Sequence, residues 1–455
     1  MDQTTNGARL SAADSLLWRI ESDPVLRTPV VVVGLLDRSP TPEGVEATIE
    51  RAAGLLPRLG QRLDPPPLDL GRPRWRPSGE PSLAAHIRRV AAPGGGLDAA
   101  LAVAEPDVAA AFDPVRSPWT MTVVDGLDRE RAAVILRFHH TLTDGVGGVE
   151  IAERLFDRTR RPRAGDQPEA PDASPNGNGD APPAPWPAAL VDGARTALGA
   201  LLRPRQAIGV MSRMASSTVR TLAPAPRNGS PVLAGRSLDR RLAVLERPLR
   251  DLQAAARATG GTVNDVLLAA VGGALAEYHW AQGGPVPAVR VLMPISVRRP
   301  DDPIGGNRFV PARFTLPIDD PDPVARVRIA GALVRSWRRE PALGATDLLA
   351  AGIDFLPRAL AARLFAGMLR STDVDVVDVP GLRRKAYLGG ARIDRLWAFA
   401  PPTGAALSVT LVSHDGKACI GLSCDQLAVT DPEGMEKCLH AALDELAALG
   451  RGGPA

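Results

Sequence analysis

The sequence has few aromatic residues and few cysteines, and each shortage argues against a class of protein. Phe, Trp and Tyr make up 4% of the 455 residues, which does not indicate a stacking platform for nucleic acid. Cys419, Cys424 and Cys438 have neither the number nor the spacing of a disulfide framework or a zinc site. We therefore predict reduced core thiols in a cytoplasmic protein that does not bind nucleic acid.

Long apolar runs are also missing. The longest run, from Val266 to Ala276, is bounded by Asp265 and Glu277 and falls short of the about 20 residues that a spanning helix needs. The N-terminus lacks the basic start and apolar core of a signal peptide. We therefore expect a cytoplasmic protein that binds peripherally to the inner face of the membrane.

Hydrophobic residues, by contrast, are plentiful. They form 45% of a chain that is long enough for more than one domain, so a folded protein with a large core is expected. The 44 glycines and 44 prolines exceed average usage and predict long loops or a linker. The formal net charge of +3 is small, so the position of the charges along the chain matters more than their sum.

Proline and arginine divide the chain into four predicted segments. Residues 162–187 hold eight prolines without apolar periodicity, which is typical of a flexible linker. From 193 to 238 there are seven arginines and no acidic residue, so 188–236 is predicted to be a basic amphipathic helical connector. It could lie on an anionic membrane or bridge the two halves. The structured subdomains would then be 1–161 and 237–455.

Both halves show strand and helix periodicities, which together predict a mixed α/β fold. Predicted strands cover residues 30–36, 120–124, 132–140, 289–295 and 308–318. Predicted helices cover 42–56 behind Thr41, a segment from about Gly148, a segment behind Thr262, and a C-terminal segment that starts at Thr430. Asp415-Gly416 between two apolar runs predicts a hairpin.

One polar run follows a predicted apolar strand and is the candidate catalytic centre: His139-His140-Thr141-Leu142-Thr143-Asp144-Gly145. A neutral imidazole can take a proton from a hydroxyl and return it to a departing thiolate. Successive strand residues face opposite sides, so one histidine acts and the other packs, but alternation does not choose between them. Asp144 could contact the imidazole, but we favour a brace of the turn through a buried arginine, with Gly145 allowing a tight turn.

The same run of residues allows a second interpretation. Four residues separate His139 from Asp144, which resembles the His-Asp signature of glycerol-phosphate acyltransferases, where His139 would be the base. That reading is also acyl transfer. No Gly-x-Ser-x-Gly elbow is present, which leaves a serine acyl-enzyme with little support. The remaining histidines are isolated and are predicted to be structural or exposed.

The run from His139 to Gly145 resembles the HHxxxDG motif of the bacterial wax ester synthase/acyl-CoA:diacylglycerol acyltransferase family, within the CoA-dependent acyltransferase superfamily. The similarity extends over nearly the whole chain. Further matching segments are Leu10–Asp14, Arg116–Trp119, Thr262–Val266, Met293–Arg298, Gly306-Asn307, Val379–Gly381 and Gly421–Asp425.

This resemblance implies two chloramphenicol-acetyltransferase-like subdomains with a tunnel at their interface, which acyl-CoA and an alcohol enter from opposite sides. It implies His140 as the base, Asp144 as its support and Asn264 as a polar group near the reacting carbonyl, with His139 beside them. It further implies substrate contacts from these residues: Gly145, Trp119, Asp265 and Arg298. No metal and no permanently bound cofactor are expected, since acyl-CoA is a co-substrate.

The predicted reaction is transfer of a long-chain acyl group from acyl-CoA to diacylglycerol or a long-chain alcohol, at a membrane or lipid-droplet surface. Ser117 and Pro118 replace the family's usual Pro and Leu, and Asp378 and Leu382 replace its usual Asn and Pro. The resemblance implies that these positions shape the substrate tunnel and not the base, so the departures bear on the acceptor and not on the reaction class. The alternatives are a specialised-metabolite hydroxyl or amine as acceptor, and a non-catalytic lipid- or CoA-binding protein.

Overall fold

The structure is a computed structural model that describes residues 7–67, 71–80, 82–161, 230–296, 307, 309–339, 358–369 and 372–451. The predicted linker at 162–187 lies outside the described residues. So do Arg298 and nearly all of the predicted basic connector at 188–236.

Helices and strands are interspersed along the described residues. The helices are α1 (Ala12–Ile20), α2 (Pro42–Leu55), α3 (Leu97–Ala104), α4 (Gly145–Leu155), α5 (Leu249–Thr259), α6 (Val263–Ala281), α7 (Pro323–Arg338), α8 (Arg358–Leu369) and α9 (Pro432–Arg451). The strands are β1 (Pro29–Leu36), β2 (Gln61–Asp64), β3 (Arg74–Pro77), β4 (Ile87–Gly95), β5 (Trp119–Leu127), β6 (Arg131–His139), β7 (Arg240–Pro248), β8 (Ala288–Ser296), β9 (Phe309–Pro317), β10 (Val374–Val379), β11 (Tyr387–Leu388), β12 (Ala391–Phe399), β13 (Leu407–His414) and β14 (Lys417–Asp425).

Two six-stranded sheets dominate the architecture. The first sheet has the order β11-β12-β1-β6-β5-β4, and the second sheet has the order β7-β14-β13-β10-β8-β9. Each mixes parallel and antiparallel pairs, since β4 runs parallel to β5 and β10 runs parallel to β13 and β8. Helices α5, α6 and α9 pack their apolar side chains against the second sheet. The predicted mixed α/β class is confirmed.

Strands from the C-terminal half complete the first sheet. β12 pairs antiparallel with β1, in a register that sets Val33 opposite Trp397. Trp397 and Phe399 are buried in one cluster with Val31 and Val33. Strand β12 lies beyond residue 237 but belongs to the first sheet, so sheet membership does not follow the predicted division at 161 and 237. The subdomain boundaries stay a prediction.

Two helix starts show how side-chain caps select the helix boundaries. Thr41 caps α2 as predicted, because its Oγ1 accepts a hydrogen bond from the Gly44 N–H at 3.2 Å. The C-terminal helix was predicted to start at Thr430, but its cap is the next residue, Asp431. The Asp431 Oδ1 accepts from the Gly434 N–H at 2.9 Å. Thr and Asp are both good N-caps, so the sequence alone did not decide between Thr430 and Asp431.

The predicted hairpin forms between β13 and β14, which pair antiparallel. Leu407 lies opposite Cys424 at one end, and His414 lies opposite Lys417 at the turn. Asp415 and Gly416 have φ angles of 46° and 76°. Positive φ at both central residues is the geometry of a type I′ turn, which suits the twist of the flanking strands.

The three cysteines carry no disulfide. Cys419 and Cys424 are buried and Cys438 is half-buried. Burial raises the pKa of the Cys419 thiol to about 11 and that of Cys424 to about 12. Both thiols are therefore protonated and inert at neutral pH.

A buried polar row crosses the second sheet. Asp375 in β10 pairs with Ser408 in β13, which pairs with Ser423 in β14. The Asp375 Oδ1 and both serine Oγ atoms are buried without a hydrogen-bond partner among the described residues. Val374 and Val376 belong to the core against the helices, so Asp375 faces the opposite side of the sheet. Burial raises the pKa of Asp375 to about 8.

This raised pKa predicts a pH-dependent stability. Folded Asp375 keeps its proton up to about pH 8, whereas the unfolded side chain releases it near 3.8. Its contribution to stability therefore falls as the pH rises from about 4 to about 8. We expect Asp375→Asn to raise the free energy of unfolding by about 2 kcal/mol or more at pH 9 and by much less at pH 5.

Urea unfolding of the wild type and Asp375→Asn at the two pH values measures this difference. The matched control is Asp415→Asn, because Asp415 is exposed and asparagine tolerates its positive φ. An equal effect of Asp375→Asn at both pH values would contradict the raised pKa.

Candidate active site

The histidine run lies where β6 ends and α4 begins. β6 ends at His139, and the Asp144 side chain caps α4 by accepting from the Gly147 N–H at 2.7 Å. The helix was predicted to start around Gly148, but it begins three residues earlier because Asp144 acts as its N-cap. Asp144 is 5% exposed, and through this cap it braces the turn.

Gly145 is needed for a different reason from the one predicted. It is the first residue of α4 and is not among the residues with positive φ. A Cβ at this position would lie 2.9 Å from Cγ2 of Val379 at the end of β10. The absence of a side chain therefore lets the second sheet approach the histidine run closely.

His139 is the histidine that packs. Its side chain is fully buried, and its Nδ1 accepts from the Thr141 N–H at 3.0 Å. Its Nε2 lies 3.2 Å from Glu21 Oε1 and 3.3 Å from Thr28 Oγ1. Burial alone would raise the pKa of Glu21, but attraction to His139 and hydrogen bonds from His139 and Thr28 hold that pKa below its ordinary 4.5. Both ring nitrogens of His139 are thus occupied.

His140 is half-buried and leaves the strand, with its backbone N–H donating to the Thr28 carbonyl at 3.1 Å. Its Nδ1 lies 2.7 Å from Oδ1 of Asn307. The Asn307 Nδ2 donates to the His140 carbonyl at 2.8 Å and to the Asp14 carboxylate. Because the amide nitrogen faces two acceptors, the amide oxygen faces the ring. Nδ1 must then carry the proton, which leaves the Nε2 lone pair free.

Asp14, at the other end of this network, is fully buried in α1. Burial raises its pKa, although the hydrogen bond from Asn307 and the attraction of Arg58 oppose that shift. Sequence reasoning assigned no role to Asp14 or Asn307. The available signal was that Leu10–Asp14 and Gly306-Asn307 both resemble family segments, and the structure brings Asp14 and Asn307 together with His140.

His140 is the neutral member of the network. Burial lowers its pKa below the ordinary 6.5, while attraction to Asp144 and the hydrogen bond to Asn307 partly oppose this shift. The imidazole is therefore uncharged at neutral pH. A neutral ring with Nδ1 held by an acceptor can use Nε2 as a general base.

Asn264 and Asp265 lie at the start of α6. Thr262 and Asp265 form a capping box, in which the Asp265 carboxylate accepts from the Thr262 N–H at 2.9 Å. Asp265 is 2% exposed. Asn264 is half-buried, and its amide nitrogen lies 3.8 Å from the Met293 sulfur. Among the hydrogen bonds of the described residues, none joins either side chain to His140.

Trp119 lies in the core of the first half. Its side chain is 1% exposed, its indole N–H donates to the Leu59 carbonyl at 2.8 Å, and its ring stacks on His86 at 4.4 Å. The neighbouring Ser117 is also buried, and its hydroxyl donates to the Arg58 carbonyl at 3.1 Å. These placements give both residues a packing role.

The described ranges contain neither a metal-ligand cluster nor a membrane-spanning helix. Within them, no group of three or more His, Cys, Asp or Glu side chains is arranged to hold a metal ion. No helix there combines the length and the apolar character needed to cross a bilayer.

Family models cover most of the sequence. The model for the wax ester synthase/diacylglycerol acyltransferase catalytic domain matches residues 10–267, and the model for the C-terminal domain of the same family matches residues 305–447. A protein of Mycobacterium tuberculosis (strain H37Rv), provisionally named a diacylglycerol O-acyltransferase, is 34% identical over 458 residues. That alignment covers 98% of this chain and 93% of the relative.

Solved structures share the fold. The wax ester synthase/diacylglycerol acyltransferase from Marinobacter aquaeolei VT8 has a TM-score of 0.63 at 20% identity, covering 97% of this chain and 100% of that one. A mutant starter condensation domain of rhizomide synthetase, solved in complex with C8-CoA, has a TM-score of 0.61 at 16% identity. It covers 98% of this chain and 95% of that one.

Proposed function

Because this chain belongs to the wax ester synthase/diacylglycerol acyltransferase family, we propose that it transfers a long-chain fatty acyl group from acyl-CoA to diacylglycerol or a long-chain alcohol. Family membership makes it an acyl-CoA-dependent O-acyltransferase. The observation that carries the proposal is the hydrogen-bond network of Asp14, Asn307 and His140, which leaves one imidazole nitrogen free to accept a proton.

The proposed reaction is direct transfer with His140 as general base. Nε2 of His140 takes the proton from the acceptor hydroxyl while the oxygen attacks the thioester carbonyl. The tetrahedral intermediate collapses, the carbon–sulfur bond breaks, and the CoA thiolate receives the proton back from His140. A base placed in this way contributes about 10²–10⁴-fold in rate. Asn307 stabilises the intermediate imidazolium by accepting from its Nδ1–H.

Asn264 is the proposed group beside the oxyanion. It is the second residue of α6, where the backbone N–H groups of the helix start favour negative charge. Its contact with the Met293 sulfur at 3.8 Å is weak, so the amide can turn toward an oxyanion at little cost. Gly145 would contribute by letting Val379 pack closely beside the histidine run, at the wall of the proposed substrate tunnel.

His139 and Asp144 are proposed as positioning residues. His139 ties the end of β6 to Glu21 and Thr28, and Asp144 holds the first turn of α4. The occupied nitrogens of His139 support His140 as the base over the alternative in which His139 takes the proton.

A peripheral contact with a membrane or lipid droplet is also proposed, since the acceptor is hydrophobic. Its support is the run from 193 to 238, with seven arginines and no acidic residue, because such a segment is attracted to anionic lipid.

A thiol-release assay tests the function. We expect purified protein to release CoA from palmitoyl-CoA faster with diacylglycerol or hexadecanol than with water alone. Small alcohols and an amine complete the acceptor panel, because Ser117, Pro118, Asp378 and Leu382 depart from the family pattern. Faster release with a small alcohol or amine would move the acceptor to a specialised metabolite. No release with any acceptor would contradict catalysis and favour a binding protein.

A further inference from the structure

A cavity of about 250 Å³ lies between the C-terminal end of α4 and the segment that follows β10. Its charged lining residues are Glu153, Arg154, Arg158, Arg383, Arg384 and Lys385. Five of these six are cations, which makes the cavity strongly positive. None of the five forms an ion pair with any residue that the structure describes.

The acidic residue does not neutralise this charge cluster directly. Glu153 Oε1 accepts from the backbone N–H of Arg383 at 3.0 Å. The carboxylate therefore binds the backbone of the segment after β10 and not a guanidinium group. Nη1 of Arg154 is buried and has no hydrogen-bond partner in the described part of the chain. An unpaired buried donor on a charged group is costly. The exposed guanidinium groups of Arg158, Arg383 and Arg384 line the same cavity, and a phosphate is the group that arginine forks match best.

The cavity lies at the C-terminal end of α4, and the histidine run precedes the N-terminal end of the same helix. At the near end Gly145 meets Val379, and at the far end Glu153 binds Arg383. Beyond these, Asp157 and Tyr387 exchange backbone hydrogen bonds at 3.1 and 2.9 Å. Helix α4 and the segment after β10 therefore run side by side from the histidine to the cavity.

The distance along α4 from Gly145 to Glu153 fits the length of CoA. Eight residues of helix, from Gly145 to Glu153, rise about 12 Å. The pantetheine arm of CoA has roughly 13 chain atoms between its sulfur and its diphosphate, which span about 15 Å when extended at backbone bond lengths. A thioester beside His140 would thus place the phosphates near the basic cavity.

We propose that this cavity is a phosphate-binding site for a substrate whose other end reaches His140. The shared chemistry is a phosphate ester, and the two sources are the phosphates of CoA and a phospholipid headgroup. The link to His140 rests on the proposed function, whereas phosphate binding itself does not.

Calorimetric titration with CoA, which carries no acyl group to transfer, tests the site. We expect the double variant Arg383→Gln/Lys385→Gln to bind CoA about tenfold more weakly and to show a weaker salt dependence. Both side chains are exposed, so the fold should tolerate the change. The matched control is Arg250→Gln, an exposed arginine on α5 with a side chain that is 85% exposed.

Co-sedimentation with phosphatidylglycerol and phosphatidylcholine vesicles distinguishes the source. Weaker CoA binding by the double variant, but not by Arg250→Gln, supports the site with CoA as its ligand. Unchanged CoA binding with a selective loss of phosphatidylglycerol binding supports the site with a lipid headgroup. If neither changes, the proposal is overturned. Intact CoA binding without acyl transfer would instead refute the proposed function and leave the site standing.

Arg154→Gln separates a ligand-binding role from a structural one. It removes a buried donor that the protein leaves unpaired, so the melting temperature should stay the same or rise while phosphate binding weakens. A fall in melting temperature with unchanged binding of both probes would assign Arg154 to the fold and overturn its place in the site.

Discussion

His140→Ala should lower kcat about 10²–10⁴-fold. The imidazole is the proposed acceptor of the proton, and its Nε2 carries a lone pair because Asn307 accepts from Nδ1–H. Its side chain is half-buried, so the folded state should survive with a loss of about 1 kcal/mol from the hydrogen bond to Asn307. Thiol release with palmitoyl-CoA and the best acceptor measures the rate, and circular dichroism measures the folded fraction.

His139→Ala is the matched control for this result. His139 is fully buried, and Thr141, Thr28 and Glu21 occupy its nitrogens. Its loss should lower the free energy of unfolding by about 2–4 kcal/mol, because Glu21 would lose its imidazole partner and keep its hydrogen bonds from Thr28. Rates must therefore be compared per folded molecule. A larger fall in kcat for His139→Ala than for His140→Ala would overturn the assignment of the base.

The pH profile supplies a second readout of the same group. A protonated imidazole cannot accept a proton, so activity should rise as the pH increases through the pKa of His140. Burial lowers that pKa below 6.5, which puts the acidic limb of kcat/KM below 6.5 and leaves a plateau at neutral pH. A limb centred well above 6.5 would assign the titration to another group.

Asn307→Ala should lower kcat by roughly 10²-fold without abolishing binding of acyl-CoA. Asn307 fixes the tautomer of His140 and stabilises its charged form, as the orienting member of a catalytic triad does. The hydrogen bond that His140 donates to Asn307 also raises the pKa of His140. Its removal should therefore move the acidic limb of the profile to lower pH.

Asn307→Asp is the companion variant. A carboxylate can still accept from the Nδ1–H of His140, and its negative charge should raise the pKa of the imidazole. The acidic limb should then move to higher pH, opposite to the effect of alanine. Two variants that lower kcat equally and leave the pH profile in place would reduce Asn307 to a structural role.

The sequence predicted the local elements well because their signals are local. The strand predicted over 132–140 appears as β6 at Arg131–His139, and the helix predicted over 42–56 appears as α2. Apolar periodicity and caps lie within a few residues of each element. The pairing of β12 with β1 joins residues more than 350 positions apart, and such a pairing leaves no mark in either strand.

The active site divides in the same way. The histidine run stood out as a motif, but strand alternation could not choose between His139 and His140. The choice comes from Asn307, which is 167 residues away from His140. Asp144 was expected to brace the turn, and the structure shows it as the N-cap of α4. Its predicted contact with a buried arginine stays a prediction. Caps of this kind depend on where the helix starts, which was predicted three residues too late.

Because β12 of the C-terminal half completes the first sheet, the two halves should not fold as independent fragments. A fragment that ends before residue 391 would lack β12 and would expose the open side of β1, whose residues Val31 and Val33 are apolar. Unpaired, hydrophobic strand edges recruit other chains. The N-terminal half expressed alone should aggregate rather than behave as a free module, and separately made halves should become soluble when they are refolded together.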